Sequence, residues 1–273
     1  MEHAMFRYDI GMVFSVAVLF AAPAVAGPIA IDLGTAGSFA VLAGSTVANT
    51  GPTTVNGDLG VWPGTSITGF LPGVVVNGGI YDGDTVAMQA QADALTAFST
   101  AAAETGAQSL TGQDLGGLNL TAGVYSFASS AQLTGTLTLN AQGSQNAVFI
   151  FQIGSTLTTA SNAQISVING QAAEIFWQVG SSATLGTGTE FDGDIIALAS
   201  ITLDTGATVS CGGALALNGA VSMDTNTVST TGAACPGQTQ VPEPASLFIL
   251  VAGFSTILTA RARRDIKVTV TKA

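Results

Sequence analysis

An aliphatic residue that precedes a threonine-rich polar patch recurs along the second half of the chain, and this repeat constrains the fold more than any other feature. The repeated positions lie 18, 28, 18 and 20 residues apart and are Leu139, Leu157, Leu185, Leu203 and Met223. Self-similarity at such a period indicates a stack of similar units, in which each unit packs on its neighbours. Glycine and β-branched residues recur in short runs, so the repeat is expected to consist of short strands joined by turns.

Two further patterns occur at other phases of the same period. One recurs at residues 55–59, 76–80 and 191–195, and the other pairs residues 151–155 with residues 177–181. Three phased patterns indicate a three-sided coil, in which each rung gives one strand to each side and glycine serves corners that need a positive φ. The predicted fold is mainly β: a right-handed three-sided parallel β-solenoid with one long α-helix packed alongside.

An aliphatic core is expected inside this coil, because stacked rungs enclose the side chains that point inward. The expected core residues are Val47, Leu59, Leu120, Leu139, Ile150, Leu157, Leu185, Ile195, Leu203, Leu215 and Met223.

One segment, residues 84–105, breaks the pattern and predicts the helix. It contains no glycine or proline and is dense in alanine, and Asp84 is suited to cap its N-terminus. Apolar residues at helical spacings predict the stripe that packs on the coil. These residues are Val86, Ala90, Leu95, Phe98 and Ala102. An independent coiled-coil arm is the alternative.

The N-terminus has the pattern of a secretory signal peptide, residues 1–26. Residues 10–22 are apolar, and the small residues Ala24, Val25 and Ala26 form a cleavage site before Gly27. The alternative is a buried N-terminal helix. Export would place the body, residues 27–230, outside the cytoplasm, with residues 231–241 as a linker.

The C-terminus carries a second targeting pattern at residues 242–264. Pro242, Glu243 and Pro244 precede an apolar stretch at residues 245–260, and a basic cluster follows it, formed by Arg261, Arg263 and Arg264. This order resembles the PEP-CTERM sorting signal of exopolysaccharide-producing Gram-negative bacteria. The resemblance implies export across the inner membrane, a transmembrane segment, processing by an exosortase-type enzyme, and a location at the cell surface or outside the cell. Residues 265–273 would form a cytoplasmic tail. A plain single-pass anchor is the alternative.

Between Arg7 and Arg261 the chain has no lysine, arginine or histidine. Such a body cannot hold phosphate by charge, so nucleic acid is excluded as a partner, and imidazole or amine catalysis is excluded as a mechanism. Four of the 17 acidic residues lie in the predicted ends, which leaves 13 in the body and a formal charge of −13. The two cysteines, Cys211 and Cys235, suggest one disulfide in an exported protein. The pattern predicts no cofactor and no metal.

Threonines at matching positions on stacked rungs would form a flat grid. Rungs lie roughly 4.7–4.9 Å apart, and alternate residues of one strand lie roughly 6.6–6.8 Å apart. Each threonine presents a methyl group, which orders neighbouring water, and a hydroxyl, which binds it. A rigid grid of this kind can hold ice-like water without any charged group.

The chain resembles the microbial ice-binding proteins that have a discontinuous β-solenoid and a flanking α-helix. The segments that carry the resemblance are LGTAGSFAVLAG at 33–44, GDLGV at 57–61, LGGL at 115–118, GVY at 123–125, AVFIFQ at 147–152, FWQVGSSA at 176–183 and NGAV at 218–221. The resemblance implies binding to an ice crystal surface through motifs of the form Thr-Ala/Gly-x-Thr/Asn. The expected ice contacts are Thr50, Thr53, Thr159, Asn162, Thr187, Thr189, Thr205, Thr208, Thr225 and Thr227. Glu190 departs from the motif and adds a charge.

Two other functions compete with antifreeze activity. A cell-surface or extracellular-matrix structural or adhesion protein would show a face with aromatic residues or carboxylates, or no distinguished face. A polysaccharide hydrolase would need two carboxylates roughly 6.5–9.5 Å apart, and Asp192 and Asp194 are the pair that could face the same side. The same pair could bind Ca²⁺. Because no cation flanks these carboxylates, we expect a protein that is not an enzyme.

Overall fold

The computed structural model describes residues 28–144, 146–170 and 173–231. These residues form three parallel β-sheets around a common core, with one α-helix along one of the sheets, which confirms the predicted mainly β solenoid. The predicted signal peptide, most of the linker, the sorting signal and the cytoplasmic tail lie outside the described residues. Among the residues that are described, no helix is long and apolar enough to cross a membrane.

The inner strands of sheet 1 are buried on both sides, by the solenoid core and by the helix, whereas its two edge strands are largely exposed. Its nine strands, in spatial order, are β7 (Ile80–Asp82), β4 (Asp58–Val61), β1 (Phe39–Ala43), β22 (Ala214–Ala216), β19 (Asp194–Ala197), β16 (Ala173–Val179), β13 (Ala147–Ile153), β10 (Gly123–Phe127) and β8 (Gln108–Ser109). All five residues of β1 are buried. A continuous apolar strand of this kind is typical of a parallel sheet that is covered on both faces.

Sheet 2 is covered on its inner side only. Its seven strands, in spatial order, are β11 (Ala131–Leu133), β14 (Leu157–Thr159), β17 (Ala183–Leu185), β20 (Ile201–Leu203), β23 (Val221–Asp224), β2 (Thr46–Thr50) and β5 (Ser66–Thr68). In most of these strands two buried residues enclose one that points outward, as the period of two requires.

Sheet 3 completes the triangle. Its eight strands, in spatial order, are β6 (Val74–Val76), β3 (Thr54–Asn56), β24 (Thr227–Ser229), β21 (Thr208–Ser210), β18 (Glu190–Asp192), β15 (Gln164–Ile168), β12 (Thr136–Asn140) and β9 (Asn119–Thr121). A short 3₁₀ helix, Gly34–Ser38, precedes β1.

The chain does not climb the solenoid in sequence order. The first rung, β1 to β3, pairs with the last rung, β22 to β24, on one side and with the second rung, β4 to β6, on the other. The chain therefore starts inside the stack, extends it to one end, and then returns from the other end rung by rung. In this discontinuous order, the first and last rungs of the body pair with each other and share one core.

The helix α1 (Thr85–Ala103) begins where predicted. The Asp84 side chain accepts hydrogen bonds from the backbone N–H groups of Val86 and Ala87, at 3.0 and 2.9 Å. At the other end the Gln152 side chain donates to the carbonyls of Ala101 and Glu104, both at 2.8 Å, and so satisfies acceptors that a helix end leaves free.

The predicted apolar stripe of α1 is wrong for Val86, Leu95 and Ala102, whereas Ala90 and Phe98 pack toward sheet 1 as predicted. Val86 and Leu95 are exposed, as is Ala102, and Phe98 is half-buried. The buried face consists of the small residues Ala87, Ala90, Ala94, Ala97 and Ala101, with Gln91. Small side chains allow the helix to approach sheet 1 closely, which a stripe of leucine and valine would prevent.

An aromatic stack lies in the solenoid core. Tyr125, Phe151 and Trp177 lie on successive rungs, with ring centroids 5.5 and 3.9 Å apart, and Phe191 packs against Trp177 at 4.9 Å. The Trp177 indole N–H donates to the Asp192 carbonyl at 3.1 Å.

The expected core residues are all buried, but two of them lie in another cluster. Ile150 and Leu215 point away from the solenoid interior and pack between sheet 1 and α1. The sequence pattern did not separate these two layers, because sheet 1 is apolar on both sides. Cys211 is disulfide-bonded, and Cys235, its predicted partner, lies outside the described residues.

Candidate functional site

The outward side of sheet 2 forms a surface of small hydroxyl side chains in two columns, which we call the hydroxyl face. The central column follows the strand register across all seven strands and consists of Gln132, Thr158, Thr184, Thr202, Ser222, Ala48 and Thr68. The flanking column, two residues earlier in each strand, consists of Ser130, Thr156, Ser182, Ser200, Ala220, Thr46 and Ser66.

The hydroxyl face carries no charged residue. Every position except Ala48, Ala220 and Gln132 bears a hydroxyl group, and none of the side chains is buried. Neighbouring rungs are bonded to each other through these groups, as where the Thr156 hydroxyl donates to Ser130 Oγ at 2.8 Å. Because threonine is stiff at χ1 and serine is short, the face presents its hydroxyls with little conformational freedom.

Acidic residues border the hydroxyl face on the side of sheet 3. Asp204 follows β20 directly, and Asp224 is the last residue of β23. The Thr205 hydroxyl donates to Asp224 Oδ2 at 2.5 Å, and the Thr225 hydroxyl donates to Asp224 Oδ1 at 3.0 Å. Both carboxylate oxygens of Asp224 are thus bound within the corner.

The predicted ice contacts do not form one surface. Five of them lie exposed at the corner between sheets 2 and 3: Thr50, Asn162, Thr187, Thr205 and Thr225. Thr208 and Thr227 open strands β21 and β24, and they point outward from sheet 3 in mutual register.

Three predicted contacts are buried and cannot touch a surface, so their assignment is wrong. Thr53 and Thr189 have no exposed area, and Thr159 is 3% exposed. The Thr159 and Thr189 hydroxyls are bonded to each other at 2.7 Å, and Thr53 Oγ1 accepts from the Asn226 N–H at 3.0 Å. Buried hydroxyls are stable only with such partners.

A turn within each motif explains why the predicted ice contacts do not lie on one surface. Gly51, Gly188 and Gly206 have φ values of 82°, 67° and 74°, so each motif bends around the corner from sheet 2 to sheet 3. The two ends of one motif therefore lie on different sides. The motifs also differ in phase, since position 53 points inward whereas position 208 points outward.

Glu190, the charged residue that ends one of the threonine motifs, lies on the outward side of sheet 3 and not on the hydroxyl face. Glu190 lies between Gln164 and Thr208 in the register of sheet 3, and the Gln164 side chain donates to it at 2.6 Å. Glu190 therefore leaves the hydroxyl face uncharged.

The carboxylates considered for hydrolysis do not share a cleft. Asp192 ends β18 in sheet 3 and Asp194 begins β19 in sheet 1, on either side of Gly193, whose φ is 96°. Asp194 accepts a hydrogen bond from the Gly213 N–H at 2.8 Å.

Burial is the main cause of the raised pKa values of these two carboxylates. It raises the pKa of Asp192 to about 6, and together with the nearby charges of Glu174 and Asp192 it raises the pKa of Asp194 to about 7. Within the described ranges, no group of His, Cys, Asp or Glu side chains could hold a metal ion.

The residues of the hydroxyl face were missed by the sequence prediction. Thr158, Thr184 and Thr202 each stand between two residues that point into the core, as in Ala183, Thr184 and Leu185. This alternation is the signal that identifies an outward position. The prediction followed the threonine clusters instead, and those clusters mark the corners.

Comparison with known proteins gives consistent results. Residues 41–229 match the model of the ice-binding-like family. The chain is 57% identical over 237 residues to an ice-binding protein of Nostoc sp. (strain HG1), and the match covers 85% of this chain and 87% of that protein.

Solved structures of similar proteins share the fold. An ice-binding protein from an Antarctic biological consortium matches with a TM-score of 0.71 and 46% identity, over 79% of this chain and 96% of its own. An ice-binding protein of the Antarctic ascomycete Antarctomyces psychrotrophicus matches with a TM-score of 0.70 and 43% identity, over 75% of this chain and 100% of its own. All the strands except the first two residues of β1, and the whole hydroxyl face, lie in the range matched by the family model.

Proposed function

Because the chain belongs to the ice-binding-like family, we propose that its body adsorbs to ice through the hydroxyl face and limits the growth and recrystallisation of ice crystals. The observation that carries this assignment is the continuous register of uncharged side chains over seven strands, all of which bear hydroxyl or methyl groups except Gln132. The 57% identity to the ice-binding protein of Nostoc sp. (strain HG1) supports it.

The dimensions of the hydroxyl face suit a crystal surface rather than a small ligand. Seven strands at the spacing of a parallel sheet give a face about 29 Å long, with columns about 6.7 Å apart. Each hydroxyl forms only a weak bond to water, so adsorption depends on many groups that act together in fixed positions. The strand backbones provide that rigidity, because each of the five inner strands is bonded to a neighbour on both sides.

The chemistry of the face favours ordered water. Threonine methyl groups cannot bind water and therefore order it around them, while the adjacent hydroxyls anchor it at defined points. A charged group would hold its own hydration shell, whose removal is costly. The exposed corner threonines Thr50, Thr187, Thr205 and Thr225 border the face, and we include them in the proposed contact.

The proposal also covers the location of the protein. An N-terminal signal peptide would export the body across the inner membrane of a Gram-negative bacterium, where it would meet extracellular ice. The PEP-CTERM-like segment 242–264 would hold it in the membrane until an exosortase-type enzyme releases it. Mass spectrometry of the protein from cell envelopes and from medium tests this. Mature termini near Gly27 and Pro242 are expected, whereas an intact C-terminus in the medium would contradict the processing step.

Activity is tested on residues 27–240, purified with the disulfide formed. Thermal hysteresis and inhibition of ice recrystallisation are expected for this body. The variant Thr184→Tyr, at the centre of the hydroxyl face, should lose most of both activities, because a bulky ring separates the face from the crystal. The matched variant Thr208→Tyr on sheet 3 should retain them. A folded parent without either activity would contradict the proposal and would favour a structural or adhesive role at the cell surface.

A further inference from the structure

Polar side chains replace the aliphatic core beneath the border of sheets 2 and 3. We call Asn49, Thr53, Thr159, Thr189 and Asn226 the buried polar row; each is at most 9% exposed. The row runs along the solenoid axis through the rungs that carry most of the hydroxyl face. No part of it can contact ice, so the proposed adsorption does not account for it.

The first part of the row joins the rungs of β14 and β17. The Gly186 N–H donates to Thr159 Oγ1 at 2.9 Å, and the Thr189 hydroxyl donates to the Ala160 carbonyl at 3.3 Å. The two hydroxyls are 2.7 Å apart. Since the Thr189 proton goes to Ala160, Thr159 is the donor between them, and the pair forms a continuous bridge from one rung to the next.

The second part of the row continues along the rungs of β20, β23 and β2. The Asn226 side chain donates to the carbonyls of Asp204 and Ala207 at 2.8 and 2.9 Å, and its oxygen accepts from the Asp224 N–H at 2.5 Å. Asn49 then donates to the carbonyls of Gly51 and Gly69 at 2.9 and 2.7 Å.

The partners of the row have one property in common. Ala160, Gly186, Asp204 and Asp224 each lie two positions after the central column on four successive rungs, where the chain leaves sheet 2 for the corner. Each of them is held through its backbone by a member of the row. On each of these rungs, the row therefore fixes the position of the backbone at the edge of the hydroxyl face.

The corner does not need polar residues in order to form. On other rungs the position that matches Thr189 is Ala163 or Ala207, both fully buried. The position that matches Thr159 is Leu133, also fully buried. Apolar side chains thus support the same turn on other rungs. The polar residues of the row are therefore not needed to form the turn and have another role.

We propose that the buried polar row consists of positioning residues for ice adsorption, which keep the edge of the hydroxyl face level with its two columns. This inference rests on the proposed function, since it concerns the same surface. The row keeps the outward residues of successive rungs in one plane. A crystal face requires such a plane, because residues that lie below it would be separated from the ice by liquid water.

The test uses Thr159→Val, which keeps the shape of the side chain and removes the acceptor of the Gly186 N–H. Thr159→Ser restores the hydroxyl. Val209→Ala, in the sheet 3 side of the core, is the control for lost stability. Thermal hysteresis is measured just below 0 °C, where circular dichroism must show that all variants are folded. Amide exchange of Gly186 reports on the row independently of ice.

Thr159→Val is expected to lower thermal hysteresis about two- to fivefold, as for the loss of one hydrogen bond, and to speed the exchange of Gly186. Thr159→Ser should recover both, and Val209→Ala should change neither beyond its effect on stability. Unchanged hysteresis in a folded Thr159→Val protein would overturn the inference, as would an equal loss in Val209→Ala. A parent without hysteresis would instead contradict the proposed function, so the two failures are distinct.

Discussion

Sheets 2 and 3 both present threonine to solvent, yet only sheet 2 has two adjacent columns without a charged residue. On sheet 2 the central column reads Thr158, Thr184, Thr202 and Ser222 across successive strands. On sheet 3 the corresponding run is interrupted, because Glu190 lies directly beside Thr208. The two surfaces belong to the same rungs and have the same spacing, so they differ in side chains alone.

This difference shows that the number of threonines does not define a surface that can order water. Outward threonine is also a common strand residue that stabilises many sheets without any ligand. What distinguishes sheet 2 is that the threonines and serines of its two columns are adjacent in register, whereas its carboxylates, Asp204 and Asp224, lie outside these columns. Sheet 3 is therefore a built-in control for every substitution on sheet 2.

The largest expected effect is that of pH on the free energy of unfolding, which should change while adsorption to ice does not. Asp192 and Asp194, at the corner between sheets 3 and 1, have folded pKa values of about 6 and about 7, above the ordinary 3.8. A raised folded pKa gives stability that is fully present below about pH 4 and is lost as the pH rises through 6 to 7. We expect the free energy of unfolding to fall by about 3 kcal/mol between pH 5 and pH 8, measured with urea.

The pH experiment also distinguishes the two surfaces. Asp194→Asn should flatten the dependence of stability on pH, because the amide cannot ionise. Thermal hysteresis should stay constant over the same range as long as the protein is folded, since neither column of the hydroxyl face has a titratable group. Hysteresis that follows the stability curve would indicate that the carboxylates take part in adsorption.

The next effect comes from adding a charge to each surface. Thr202→Asp places a carboxylate at the centre of the hydroxyl face, where contact with ice would strip its water, and we expect thermal hysteresis to fall about tenfold. Thr208→Asp places the same charge beside Glu190 and should leave hysteresis within about twofold of the parent. Equal losses in the two variants would remove the distinction between the sheets.

A smaller effect separates the two groups of one threonine. Thr202→Val keeps the methyl group and removes the hydroxyl, whereas Thr202→Ser does the reverse. Because each group contributes to the same ordered water, either change should lower thermal hysteresis about two- to threefold. A parent-like result for valine would assign the interaction to the methyl groups alone.

The smallest effect is expected from Glu190→Gln. Removing this charge makes the outward side of sheet 3 resemble sheet 2 more closely, but Asp192, Val74 and Val76 still interrupt it. Thermal hysteresis should remain unchanged within error. A clear gain would mean that sheet 3 also contacts ice and that Glu190 normally weakens this contact.

The sequence contained most of the fold but only part of the site. The phased aliphatic residues predicted three sheets, because inward positions must be apolar on every rung, and Asp84 marked the start of the helix. The helix face was misjudged, since close packing on sheet 1 favours alanine over larger residues such as Leu95.

The site depends on register, which a single rung does not reveal. Thr159 and Thr158 are neighbours in sequence, yet one is buried and bonded to Thr189 while the other points to solvent. Thr159 matches the Thr-Ala/Gly-x-Thr/Asn motif because it stands beside Ala160, at the corner. Only the pairing of strands shows that Thr158, Thr184 and Thr202 form one line.

The most direct test of the account is a comparison of four single tyrosine substitutions in one thermal hysteresis assay. Thr158→Tyr and Thr202→Tyr alter the hydroxyl face, and Thr138→Tyr and Thr227→Tyr alter the outward side of sheet 3. All four proteins must be folded just below 0 °C by circular dichroism. The account predicts that both sheet 2 variants lose most of the hysteresis and that both sheet 3 variants keep it. Loss in the sheet 3 pair with retention in the sheet 2 pair would contradict it.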